Sequence, residues 1–410
     1  MEPILILGII LFSGFTIGEL CTRIGLPKVT GYILAGMILN PQFLHFIPES
    51  FVENTALVTN IALSFITFSV GGTLSFTKIR SLGKSIVFIT LLEAELAFLF
   101  VAGFFTFIGP VIMPSTNLSL VAFFVPLALL LGSLASPTDP SATLAVEHEY
   151  KAQGEVTSTI MGVAAFDDIL GIINYSLAIS IAGICILHEP FDFFSIAHPL
   201  LRISGSIIIG ILFGFILNFL AKVITRETEG VLITLIISLL ALCYGIAGAV
   251  GADELLSTMT MGVVVINYNS RKDKIFQILE RYTEELIFVL FFTLSAMHLN
   301  FSVMAANALL IFLFIVFRAL GKLSGTVLGG KVANASPAVQ KYTAGGLLPQ
   351  GGIVIGLALV IKQNPEFNTI SDIILNVIIG ATIIHEIIGP LMSKFALVKA
   401  GEISNKKSGT

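Results

Sequence analysis

Apolar runs, most of them roughly 15 to 30 residues long, follow one another along this chain, and short charged or Pro/Gly clusters separate them. An α-helix needs about 20 such residues to cross a hydrocarbon layer of about 30 Å. Cutting at the polar punctuation predicts thirteen membrane spans. The first seven cover about 4–21, 28–47, 55–75, 85–109, 118–146, 156–187 and 200–222. The other six cover about 230–250, 254–267, 284–300, 304–330, 338–361 and 371–393.

Charge placement checks this count independently, because cytoplasmic loops concentrate Lys and Arg. With the N-terminus outside and the C-terminus cytoplasmic, all but four of the 22 Lys and Arg fall on the cytoplasmic side. Arg202 and Lys362 fall outside, while Arg318 and Lys322 lie within the eleventh span. A missed span would scramble that separation.

Composition agrees. The chain is 55% hydrophobic and 12% charged, against about 25% charged residues in soluble domains, and its mean hydropathy is +0.97. The net charge of -4 offers no case for nucleic acid. Glu2 precedes the first span with no cation and no small-residue cleavage pattern, so a retained helix is expected there and not a signal peptide. Cys21, Cys185 and Cys243 sit far apart in apolar segments and read as packing residues. Trp is absent, so any interfacial belt must use Tyr and Phe. No Ser/His/Asp order, metal-ligand spacing or phosphate loop appears, so neither an enzyme nor a cofactor is expected.

Thirteen spans divide as six, a linker and six, and the two sixes start on opposite sides of the membrane. That predicts an all-α membrane protein of two inverted six-helix repeats. Transporters built this way carry discontinuous helices at matching positions of the two halves. The fifth span of the first half contains Gly132-Ser-Leu-Ala-Ser-Pro-Thr-Asp-Pro-Ser141, and that of the second Gly345-Gly-Leu-Leu-Pro-Gln-Gly-Gly352. Pro137 and Pro140 each remove a helical N–H, and backbone freed at that depth must be buried in protein or face water. A single break is as well read as an ordinary proline kink. Two at equivalent positions, with Thr138-Asp139 in one, predict crossed, unwound helices.

Most buried ionisable groups sit on three helix pairs related by that repeat. Span six carries Asp167-Asp168 and its repeat counterpart, span thirteen, His385-Glu386; span five carries Asp139 and span twelve Gln350; span four carries Glu93 and Glu95 and span eleven Arg318 and Lys322. A carboxylate at mid-membrane costs about 2.5–3.5 kcal/mol on insertion scales, so a pair marks a polar interior site. Helical neighbours point about 100° apart, so Asp167 and Asp168 cannot both face one cavity. One can bind an ion while the other pairs with a cation. Arg318 and Lys322, four apart, share a helix face. Asp139 at the crossing would offset two positive helix N-termini, and a cation would offset the C-terminal ends. A hard monovalent cation wants oxygen ligands, which Asp168, Asp139, Thr138 and freed carbonyls supply. Ser136, Asp167 and Gln350 complete the expected lining. A carboxylate that takes either a proton or a cation performs exchange.

Plainer roles stand beside these. Asp167 with Lys322 or Arg318 is equally readable as a structural ion pair, and one of Glu93 and Glu95 faces protein polar groups. His385 reads as a helix contact, Asp253-Glu254 as an interfacial cap, and His45, His148, His188 and His198 as interfacial groups.

The chain resembles the monovalent cation:proton antiporter superfamily, in its bacterial sodium/proton and Kef-like branch. The matching residues are Gly25-Leu-Pro-Lys-Val-Thr-Gly-Tyr-Ile-Leu-Ala-Gly36, Ser136-Pro-Thr-Asp-Pro-Ser-Ala142, Ala165-Phe-Asp-Asp168, Arg318-Ala-Leu-Gly-Lys-Leu-Ser-Gly325 and Leu347-Leu-Pro-Gln-Gly-Gly-Ile-Val-Ile-Gly356. The resemblance implies exchange of Na⁺, or Li⁺ or K⁺, for protons in a cell membrane, by an elevator-like core moving in a homodimeric scaffold. It places scaffold and dimer helices at 1–84 and 230–303, the core at 85–190 and 304–395, a linker helix at 191–229 and a cytoplasmic tail at 396–410. It makes Asp168 the shared ion and proton carboxylate. It pairs Asp167 with a cation on span eleven, Lys322 by the Lys-x-x-Gly spacing, with Arg318 the other candidate. An Asp-Asp pair resembles the electrogenic members. The short tail leads us to expect no nucleotide-binding regulatory domain. Two other function classes remain: a sodium-coupled organic-anion symporter, which predicts a wider or Arg-lined pocket, and an uncoupled channel or sensor on the same scaffold.

Overall fold

The computed structural model describes residues 2–44, 47–113, 119–187, 194–223, 228–297 and 307–403. His45, His188 and the side chain of His198 lie outside them, as do residues 298–306 between two predicted spans and the tail beyond Ile403.

Every described element is helical. Apart from helical pieces of five residues or fewer, the helices are α1 (Pro3–Arg23), α2 (Lys28–Leu39), α3 (Ala56–Thr73), α4 (Phe76–Phe107), α5 (Val125–Ala135), α6 (Pro140–Tyr150), α7 (Glu155–Leu187) and α8 (Phe194–Val223). They continue with α9 (Glu229–Ala249), α10 (Glu254–Tyr268), α11 (Lys272–Tyr282), α12 (Glu284–Met297), α13 (Ala308–Val332), α14 (Pro337–Gly346), α15 (Gly352–Gln363) and α16 (Asn368–Lys399). Among the described residues, eight helical stretches are long and apolar enough to cross a membrane, and α2 and α3 are shorter apolar helices.

Local chemistry sets the boundaries. Proline opens α1, α6 and α14, where a missing N–H costs nothing. Gly25, at φ +82°, turns the chain between α1 and α2. Asn40-Pro41 stops α2 well short of residue 47. α4 begins at Phe76, earlier than the expected span, because Lys78, Arg80 and Lys84 end a lipid-facing stretch without breaking a helix. One-sided apolar patterning is weak in the long helices because several are apolar on every side, as expected where lipid replaces water; α11, Lys-Asp-Lys-Ile-Phe-Gln-Ile-Leu-Glu-Arg-Tyr, is the amphipathic exception and buries Ile275, Ile278 and Leu279.

Packing falls into groups. One core draws on α4, α5, α7, α13, α15 and α16 through Val101, Leu131, Ala178, Phe314, Ala358 and Ile378. A second joins α3, α8, α9, α10 and α11 through Phe68, Leu217, Ile236, Met261 and Leu279. A third seals α1, α2 and α12 with Ile10, Leu39 and Leu294.

Among the described residues, the most extensive helix pairing is α13 on α4. Gly321, Gly325 and Gly329 form one small-residue stripe, and a Cβ on any of them would strike α4 backbone at Ala97, Glu93 or Ile89. Without a hydrophobic drive between helices in lipid, such close approach is what holds them. It also brings Lys322 against Glu93.

α16 is clamped to α7 beyond its own end. Glu402 accepts hydrogen bonds from Val156 N and Thr157 N, both at 2.7 Å, and from the Thr157 hydroxyl at 2.5 Å. A carboxylate from the far end of the chain thereby caps the N-terminus of α7. Glu402→Gln is expected to cost about 1–2 kcal/mol, read as a lower melting temperature in detergent. An unchanged melting temperature would show that the cap contributes nothing.

Candidate functional site

The two helix interruptions meet. α5 and α6 are separated by residues 136–139, α14 and α15 by residues 347–351, and Asp139 N donates to Pro349 O at 3.1 Å. Each unwound stretch leaves carbonyls without helical partners, and side chains answer most of them. Arg318 Nε donates to Ala135 O at 3.0 Å, Nη1 to Leu348 O at 2.7 Å, and Nη2 to Pro137 O at 2.8 Å and Pro349 O at 3.4 Å. Lys322 Nζ takes Ser136 O at 2.8 Å, Gln350 Nε2 takes Leu134 O at 2.6 Å, and the Thr143 hydroxyl takes Gly346 O at 2.9 Å. Buried backbone groups are almost always paired, and here a guanidinium fork spans both breaks at their negative C-terminal ends.

Arg318→Ala would orphan the buried carbonyls of Ala135, Pro137 and Leu348, at about 1–3 kcal/mol each, while Pro349 O keeps Asp139 N. We expect a protein that is poorly recovered or melts far lower, with Arg318→Lys only partly restoring it because an ammonium cannot span both unwound segments. Full recovery with lysine would mean that charge alone holds the crossing.

Asp139 serves the opposite ends. Its Oδ1 accepts from Ser141 N at 2.8 Å and Ser141 Oγ at 2.5 Å, capping α6. Its other oxygen lies so close to Gly351, just before α15, that a Cβ there would collide with it. One carboxylate thus faces two helix N-termini.

The aspartate pair divides as helical geometry requires. Asp167 is fully buried; its Oδ2 accepts from the Thr138 hydroxyl and lies 3.4 Å from Lys322 Nζ. Lys322 makes a shorter contact of 2.7 Å with Glu93, also fully buried, and donates to Thr138 Oγ1 at 2.8 Å. Glu93 is the functional-looking residue that sequence reasoning left without a partner, and the glycine stripe on α13 was the signal that places it. Asp168 is only half-buried and lines a cavity of about 50 Å³ with Thr138, Asp139, Asp253, α3 residues Ile66 and Val70, and α10 residues Leu256 and Met259. Among the described residues, no hydrogen bond or ion pair of the protein holds the Asp168 carboxylate. At roughly 10–15 Å³ of such volume per water, the cavity holds a few waters or one partly hydrated small cation.

Other candidates point elsewhere. The Ser136 hydroxyl donates to Ala94 O at 3.0 Å. Gln350 Oε1 sits 3.0 Å from His385 Nδ1, and His385 Nε2 lies 3.5 Å from Arg318 Nη1. Arginine only donates, so Nε2 accepts and Nδ1–H points at Gln350, which makes His385 a wiring residue of the breaks. Neither Ser136, Gln350 nor Asp167 lines the cavity. Asp253 caps α10 through Leu256 N at 2.9 Å and also lines the cavity mouth. Arg318 makes no ion pair with Asp167; Lys322 is the cation beside it.

The transmembrane sodium/hydrogen exchanger family model matches residues 7–399, nearly the whole chain. The chain belongs to the sodium/hydrogen exchanger family. Taken with its apolar helices, this makes it a multi-pass membrane protein. It is 21% identical over 401 residues to an Na(+)/H(+) antiporter of Enterococcus hirae, covering 96% of this chain and 98% of that protein. It is 27% identical over 211 residues to Na(+)/H(+) antiporter 1 of Methanocaldococcus jannaschii, covering 50% of this chain and 45% of that relative, under half its length. The solved sodium proton antiporter MjNhaP1 from Methanocaldococcus jannaschii at pH 8 superposes with a TM-score of 0.71 at 21% identity, covering 97% of this chain and 98% of that one. At that identity the likeness concerns the fold.

The end of this exchanger-family chain away from Asp253 is stitched by charge. Lys28 Nζ contacts Glu19 at 2.6 Å and Glu285 at 2.7 Å, Lys28 N donates to Glu149 at 2.7 Å, and His148 bonds Glu284. These contacts tie α6 to α1, α2 and α12 around a second cavity of about 240 Å³.

Proposed function

We propose that this chain is a secondary active antiporter exchanging a monovalent cation, Na⁺ before Li⁺ or K⁺, for protons by alternating access. The observation that carries this reading is the contrast within the aspartate pair: Asp167 is locked by Thr138 and Lys322, while Asp168 faces a cavity with no protein partner. A free carboxylate in a confined, largely apolar chamber holds either a proton or a cation, and the competition is the coupling. Thr138 and Asp139 supply further oxygens beside it.

The remaining architecture belongs to the same proposal. Thirteen spans form two inverted six-helix repeats, N-terminus outside and C-terminus cytoplasmic, in a cell membrane. Helices α4–α7 and α13–α16 make the moving core; α1–α3 and α9–α12 make the scaffold and a homodimer interface, with α8 as linker. In that orientation the Asp168 cavity lies toward the outside, between core and scaffold, and the Lys28, Glu149, His148 and Glu284 ties hold the cytoplasmic side. An organic-anion symporter fits less well, because the chamber is small and carries three aspartates and no arginine.

The test is exchange by the purified protein in liposomes loaded with a pH-sensitive dye. Addition of Na⁺, Li⁺ or K⁺, with and without an imposed membrane potential, should move protons against the cation. Cation flux without a pH change would point to a channel, and neither would point to a sensor.

A further inference from the structure

We infer that Glu95 is a protonated, lipid-facing carboxyl, a site for hydrophobic electrophiles that add to carboxylic acids, carbodiimides being the type. Glu95 lies midway along the apolar stretch Gly83–Phe107 of α4. Two residues from buried Glu93, it points about 200° away from it. On its own face Phe88, Leu91 and Leu99, at helical spacings of seven and four, are 37%, 45% and 55% exposed. That row is the surface a membrane helix offers to hydrocarbon, and Glu95 is half-buried within it. Among the described residues no cation pairs with it; its hydrogen-bond donor is Asn174 Nδ2, at 3.2 Å from Oε1. An unpaired carboxylate in hydrocarbon is costly, whereas the acid is not, so the group keeps its proton.

The same Asn174 Nδ2 lies 3.2 Å from Ser136 Oγ, and the Ser136 carbonyl takes Lys322. Bulk attached to Glu95 therefore pulls on the first helix break, and on the exchange reaction proposed above, on which this second part rests. The chemistry is an addition. The acid proton passes to one carbodiimide nitrogen as the carboxyl oxygen bonds the central carbon and one C=N π bond is consumed. The acyl group then migrates from oxygen to the other, unprotonated nitrogen: its C–O bond breaks as the new C–N bond forms, and the remaining C=N bond gives way to the urea C=O, leaving a stable N-acylurea with no leaving group.

The experiment treats the protein in liposomes with dicyclohexylcarbodiimide or with a water-soluble, cationic carbodiimide, and maps adducts by peptide mass spectrometry. The lipid-soluble reagent should label Glu95 and slow exchange, and the water-soluble one should leave it unlabelled. Glu95→Gln, which keeps the acceptor for Asn174, should exchange near the wild-type rate, lose the label and resist inhibition. No adduct at Glu95, or equal labelling by the water-soluble reagent, overturns the site. An adduct that leaves exchange untouched overturns the link to the break. If the untreated protein shows no exchange, the transport reading fails while the adduct map still decides the site.

Discussion

Replacing Asp168 by asparagine is expected to abolish cation/proton exchange, down to the level of protein-free liposomes, while the protein folds and melts as before. The two halves of this expectation come from the same geometry. Asn keeps the volume and polarity of the side chain but can neither take up the exchanged proton nor offer a negative charge to a cation. Asp168 makes no hydrogen bond or ion pair among the described residues and borders the cavity, so its loss orphans nothing. Removing an unpaired carboxylate from a largely apolar chamber is neutral or stabilising. Asp167→Asn should differ, because it strips a buried carboxylate from the Thr138 and Lys322 contacts and lowers the melting temperature. Na⁺-driven proton movement in reconstituted Asp168→Asn would remove Asp168 from the centre of the mechanism. A melting temperature that collapses with Asp168 would show it to be structural.

Much of this site is legible in the linear pattern because membranes narrow the choices. Hydrophobic length forecasts an all-helical chain with long apolar helices, and Pro137, Pro140, Pro349 and their neighbouring glycines mark where the backbone must unwind. The 100° step between neighbours forecasts that Asp167 and Asp168 part company. Side-chain destinations at the crossing are another matter. Ser136 and Gln350 look like cation ligands in the sequence because they are polar and buried. In the folded chain, backbone carbonyls claim them first: Ser136 donates to Ala94 O within α4, and Gln350 to Leu134 O beside the break. The demand for paired backbone groups is local, three-dimensional and absent from any residue count. Glu93 illustrates a different gap. Its phase on α4 relative to α13 depends on the Gly321, Gly325 and Gly329 contact, and no single helix contains that information. The early start of α4 shows the limit of charge as punctuation, since lysines end a membrane span but not a helix.

Lys322→Ala is expected to destabilise the protein by about 3–5 kcal/mol, the cost typical of breaking a buried ion pair from one side. The ammonium lies between two fully buried carboxylates, 2.7 Å from Glu93 and 3.4 Å from Asp167, and also satisfies Ser136 O and Thr138 Oγ1. Its removal leaves two like charges facing each other and an unpaired carbonyl. The shorter contact identifies Glu93 as the principal partner, which makes a double replacement informative. In Glu93→Gln/Lys322→Ala, one carboxylate is neutralised, so the penalty should fall well below that of Lys322→Ala alone. Thermal melting of the two single variants and the double variant in one detergent yields the coupling directly. A double variant as unstable as the sum of the singles would show that Glu93 and Lys322 act independently. Asp167 would then be the residue that sets the ammonium in place, and Glu93 a bystander that merely packs against the glycine stripe.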